Sequence, residues 1–93
     1  MRLSSREVTA IKKCIAMFDP NAHVYLFGSR VRDDLKGGDI DLLLFSDTLS
    51  LRDEIKIKLK LYDALGEQKI DLVRAKESNK AFTQMVLQEG ILL

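Results

Sequence analysis

The chain has 93 residues, of which 46% are hydrophobic and 31% charged, with a formal net charge of +1. A chain of this length forms one small domain, residues 1–93, burying roughly 60% of its unfolded surface, and so even a charge leaves no general footprint for DNA or RNA. The single cysteine excludes a disulfide framework or a cysteine-rich metal site. With no signal peptide and no long apolar run, the expected location is the cytoplasm, away from any membrane.

Ser4-Ser5-Arg6-Glu7 has the form of a capping box, and Val8, Ile11, Ile15 and Phe18 then recur at helical spacing, so a first helix runs to the stop at Asp19-Pro20-Asn21. Cys14 beside that stripe reads as a small buried hydrophobe, and Met17 and the later Met85 as core. His23 has no second His or Cys at ligand spacing and reads as a surface or satisfied histidine rather than a metal ligand or base. His23 to Phe27 is the first strand, Ser29 to about Leu35 a short helix, and Asp39 to Phe45 the second strand.

Leu51 to Leu65 fits two periods. Ile55, Ile57, Leu59 and Leu61 alternate as in a strand, while Leu51, Ile55, Leu59, Tyr62 and Leu65 form one broad helical face. Length, Ser50 as N-cap, the Glu54/Lys58 pair and Gly66 as a stop select helix. Lys58 then falls inside the apolar arc, either snorkelling to solvent or touching a partner or phosphate. Lys69 to Arg74 is a third strand, and a last helix runs from Ser78 or Asn79 to Glu89, closed by Gly90. Tyr25 and Tyr62 read as packing residues.

The chemistry concentrates in two of these segments. In the second strand Asp39 and Asp41 stand at i and i+2, on one face and about 7 Å apart along it, with Leu43 and Phe45 continuing that face and Ile40, Leu42 and Leu44 filling the other. Two carboxylates beside apolar cover repel each other and lose hydration, a conflict that a divalent cation removes. Asp71 is the lone acid of the third strand. If that strand lies beside the second, three carboxylates meet at one rim, enough for two ions about 3.5–4 Å apart and a base for an attacking hydroxyl. Gly28 permits close approach of backbone to a phosphate, and Ser29 and Arg30 add a hydroxyl, a cation and free N–H donors.

Gly28-Ser29, nine intervening residues, Asp39-Ile40-Asp41, then Asp71 between apolar neighbours and a terminal Glu89-Gly90-Ile91-Leu92-Leu93 resemble the nucleotidyltransferase superfamily that includes DNA polymerase β, most closely its minimal nucleotidyltransferase branch. The resemblance covers nearly the whole chain. It departs where many members carry Ser just before the first acid: here Gly37 and Gly38 stand there, which implies a more mobile loop. Arg32 and Lys36 match basic positions of that loop, as phosphate contacts or as a solvated turn.

The resemblance implies an α/β fold with a small mixed β-sheet covered by helices. It implies transfer of a nucleoside monophosphate, AMP from ATP foremost, to an acceptor hydroxyl. In that scheme Asp39, Asp41 and Asp71 hold two Mg²⁺ and Asp71 activates the hydroxyl, while Gly28, Ser29 and Arg30 bind the nucleotide. Minimal members pair with small helical HEPN-type proteins, and in such toxin–antitoxin pairs the transferase silences its partner by adding AMP to a tyrosine. Two other roles stay open: a catalytically idle module that masks its partner, and a transferase acting on a small molecule such as an aminoglycoside.

Overall fold

In the computed structural model, which describes residues 1–35, 37–66 and 68–93, Ser4 accepts from the Glu7 amide at 3.0 Å and Glu7 accepts from the Ser4 amide at 2.9 Å. This capping box starts helix α1, Ser5–Ala16. Strand β1 is His23–Phe27, β2 is Ile40–Phe45, helix α2 is Leu51–Leu65, β3 is Ile70–Arg74, helix α3 is Lys80–Glu89, and β4 is Ile91–Leu92. The sheet order is β3-β2-β1-β4, with β2 and β3 parallel and the other two pairings antiparallel. A mixed sheet covered by helices is the fold class expected.

Alternation along β1 to β3 separates two faces. Val24, Leu26, Ile40, Leu42, Leu44, Ile70 and Leu72 pack with Ile11 and Ile15 of α1 and Ile57 and Leu61 of α2 into the main core. Each such side chain contributes about 1.5–3 kcal/mol on burial. On the opposite face α3 lies over β1, where Phe82 meets Phe27 edge-on with ring centroids 5.2 Å apart. Two polar ties fix the connections. Asp19, 7% exposed, accepts from Ser46 Oγ and from the Asn21 amide, joining the end of α1 to the end of β2. Arg74 donates to the Leu49 carbonyl at 2.9 Å and pairs with Glu54, joining β3 to α2.

Several expectations need correction. The helix predicted from Ser29 to Leu35 is a 3-10 turn, Gly28–Val31: the Arg32 amide closes on the Ser29 carbonyl at 3.2 Å, and Arg32 is already extended. The predicted buried face of α2 is rotated. Ile57 and Leu61 are the buried residues, while Leu51, Ile55, Leu59 and Tyr62 stand exposed, because apolar positions cover a wider arc than α1 and β3 can meet. Glu54 takes Arg74 as its partner in place of Lys58. Met17 and Met85 are exposed, not core; Met17 caps the end of α1 beyond its buried stripe. Cys14 packs against the core as expected but is half-buried rather than buried, and His23 is exposed. Lys36 lies outside the described residues.

Candidate active site

Asp41 is the second residue of β2. Its register partner on β3 is Asp71 and on β1 is Phe27. Directly paired residues project from the same side of a sheet, so the two acids share the α3 face, opposite the main core. Asp39 precedes β2 by one residue and arrives at the same rim. Carboxylate oxygens of Asp39, Asp41 and Asp71 all lie within 4.8 Å of one another. The parallel pairing of β2 with β3 brings the third acid in, since it aligns the N-terminal ends of both strands.

This proximity has an electrostatic cost. The Asp41 carboxyl is pushed up from 3.8 to about 6, chiefly because burial strips its hydration, and further by hydrogen bonding to Asp71 and by the charges of Asp71 and Asp39. Lys69 offsets part of it. Its ammonium lies 3.4 Å from Asp39 Oδ2, and Asp39, followed by Asp71, holds its pKa above the ordinary lysine value.

The Gly-Ser turn is built against this cluster. Gly28 has φ +75°, and a Cβ there would stand 2.3 Å from Asp41 Oδ2. Ser29 follows it, and its hydroxyl lies where a Cβ on Gly38, φ +87°, would come within 2.2 Å. Gly38 thus lets two loop segments close over one another. Two guanidinium groups brace that loop. Arg2 donates to the carbonyls of Gly37 at 2.7 Å, Arg32 at 2.7 Å and Ser29 at 3.0 Å. Arg30 donates to the carbonyls of Gly38 at 3.3 Å and Arg2 at 2.9 Å, and to Gln68 Oε1 at 3.2 Å. Gln68 in turn donates to Glu7 at 3.0 Å.

The sequence model described as "Polymerase beta, Nucleotidyltransferase" matches residues 10–93. The chain belongs to this nucleotidyltransferase family. No curated protein matches it significantly. Among solved structures it is similar to a chain of the tri-AMPylated Shewanella oneidensis HEPN toxin in complex with MNT antitoxin, at 27% identity and TM-score 0.71, covering 92% of this chain and 67% of that one. It is similar also to a chain of the toxin–antitoxin MntA-HepT, at 25% identity and TM-score 0.72, over 96% and 70% of the two chains. A doubly Asp-to-Glu-substituted mutant of MntA-HpeT gives 26% identity, TM-score 0.73 and coverages of 92% and 70%.

The family is metal-dependent in its usual chemistry, and the residues here fit that requirement. The cluster presents hard carboxylate oxygens, and burial together with the neighbouring acids raises the Asp41 pKa, a cost that a cation among them would offset. Beside it runs an apolar groove of about 320 Å³, lined by Phe27, Gly28, Val31, Phe82 and Met85 among others, which explains why Met85 is not core. Sequence reasoning singled out Asp39, Asp41, Asp71, Gly28 and Ser29, and the fold brings all five together. Arg30 is there too, with its guanidinium engaged by the loop and Gln68. Arg2, Gln68 and Lys69 went unnoticed. Arg2 acts on backbone carbonyls, which leave no trace in residue spacing, and Gln68 acts through side chains distant in sequence, whereas Lys69, two residues before Asp71, was a readable signal. Among the described residues no helix is long and apolar enough to cross a membrane.

Proposed function

We propose that this chain transfers AMP from ATP to a hydroxyl, foremost a tyrosine hydroxyl, of a small helical HEPN-type partner, and thereby acts as the antitoxin of a toxin–antitoxin pair. The observation that carries the reading is the convergence of Asp39, Asp41 and Asp71 within 4.8 Å beside a Gly-Ser turn in a nucleotidyltransferase fold. Likeness to HEPN–MNT complexes supports the partner class.

In this reading Asp39, Asp41 and Asp71 would hold Mg²⁺, two ions in the full site, which neutralises charge on the triphosphate and the departing pyrophosphate. Gly28 and Ser29 bind the distal phosphates through backbone N–H groups and the Ser29 hydroxyl. Arg30 and Arg2 hold the loop that positions them. Asp71 accepts the proton of the acceptor hydroxyl, whose oxygen bonds to the α-phosphorus as the bond to the bridging oxygen breaks and pyrophosphate leaves. The apolar groove beside Gly28 has room for an aromatic or heterocyclic ring. In-line alignment supplies much of the acceleration.

The test is incubation of the chain with labelled ATP, Mg²⁺ and the product of its neighbouring gene, followed by intact mass. A gain of AMP units on the partner supports the reading. An unmodified partner that is nevertheless neutralised would replace it with simple masking.

A further inference from the structure

The side of α2 away from the core carries Leu51, Ile55, Leu59 and Tyr62, exposed by 62%, 54%, 61% and 37%. They form a straight row over three helical turns. Side chains of this size leave a contiguous apolar patch of roughly 400 Å², large enough to mark a contact surface on a small protein. The helix packs on α1 and β3, so the patch lies behind the sheet, on the opposite side from the acid cluster, and an acceptor docked on it would not face Asp71.

The row is self-complementary. About a two-fold axis level with Ile57, an antiparallel second α2 places its Tyr62 against Leu51 and its Leu59 against Ile55, and the reverse by symmetry. One flank of the row carries Arg52 near its start and Asp63 three turns later, both exposed and in no ion pair among the described residues. The same symmetry sets Arg52 of each copy level with Asp63 of the other. Lys56, on that flank beside the axis, meets its own copy and turns its long side chain to solvent.

We propose that the chain forms an isologous dimer through α2, with Leu51, Ile55, Leu59 and Tyr62 as its apolar centre and two symmetric Arg52–Asp63 pairs at its rim, leaving both acid clusters free. Two such patches bury roughly 800 Å², to which the Arg52, Lys56 and Asp63 rims add, a size in the weak, transient class below about 1,200 Å², so dimerisation is expected at roughly tens of micromolar and above. This does not depend on any transferase activity.

Sedimentation velocity of the 93-residue chain over roughly 1–200 µM tests it. The wild-type mass should rise toward twice the 10.6 kDa of the chain. Ile55→Glu should weaken association by at least about tenfold. Arg52→Asp and Asp63→Arg should each weaken it, and the two together should restore it. Far-UV circular dichroism checks that each variant is folded, and the reversal pair stands as an independent test should Ile55→Glu not fold. A wild type that stays monomeric throughout overturns the proposal, also where the same patch binds a different protein. So does unchanged dimerisation of Ile55→Glu, or a double reversal no tighter than its single parents.

Discussion

Oδ2 of Asp41 occupies the place where a side chain on Gly28 would begin, 2.3 Å from the position of its Cβ. The Gly-Ser turn and the acid cluster are therefore one construction: the turn closes over the central carboxylate only because residue 28 has no side chain and tolerates φ +75°. Gly28→Ala should cost about 1–2 kcal/mol from the left-handed backbone alone and displace Asp41 as well. Thermal melting should show the loss of stability, and calorimetric titration an ATP affinity at least about tenfold lower.

Arg30→Ala removes the tie from the Gly38 carbonyl to Gln68 and the N-terminal segment. The bonds to Arg2 and Gln68 are part-buried, and these charge-assisted contacts support an expected loss of about 1–2 kcal/mol and weaker ATP binding through a loosened loop. Arg30→Lys should recover little, because an ammonium cannot reproduce a planar fork that spans Gly38, Arg2 and Gln68. Melting curves and ATP titrations of both variants check this; full rescue by lysine would mean that charge alone matters at position 30.

The acid triad was legible because period-2 alternation and strand pairing fix where Asp39, Asp41 and Asp71 point. The capping box of α1, the Ser50 N-cap of α2 and the first three strands were legible for similarly local reasons. β4 was not, since two residues cannot display alternation. The α2 face was misread because apolar residues surround more of the helix than the core accepts, and only the neighbouring elements decide which arc is buried. The Arg2 and Arg30 brace rests on loop carbonyls that any residue could supply. Gly38 read as the loss of a serine and an added mobility, yet it is the point where the loop closes on Ser29.

Stability should depend on pH through Asp41. Its carboxyl titrates at about 6 in the folded chain against 3.8 ordinarily, so the folded state binds that proton more tightly. Its contribution is full below about pH 4 and is lost as pH rises through about 6, by about 1–2 kcal/mol after allowance for partial exposure. Glu7, Asp34 and Asp53, whose pKa values are held low by hydrogen bonds, act oppositely and only below about pH 4. Metal-free melting temperature should thus fall between about pH 4.5 and 7.5, Asp41→Asn should flatten that fall, and Mg²⁺ should raise the temperature more at the higher pH.

Asp71→Asn separates holding from chemistry. It removes one carboxylate and the proposed proton acceptor while leaving Gly28, Ser29 and their loop intact. ATP titration should change little and transfer should disappear, whereas Ser29→Ala should mainly weaken triphosphate binding. Calorimetry beside a transfer assay distinguishes them, and full transfer by Asp71→Asn would remove the base from Asp71.

The central claim is that neutralisation of the partner runs through the three carboxylates. Its most direct test is the intact mass and the cellular toxicity of the helical partner after co-expression with wild type or with the Asp39→Asn, Asp41→Asn double variant. Asparagine relieves the repulsion within the cluster and leaves the outer surface, and hence complex formation, nearly unchanged. The account predicts added AMP and a silenced partner with wild type, and an unmodified, still toxic partner held in complex by the double variant. A double variant that binds the partner, adds nothing to it and still silences it fully would contradict the account.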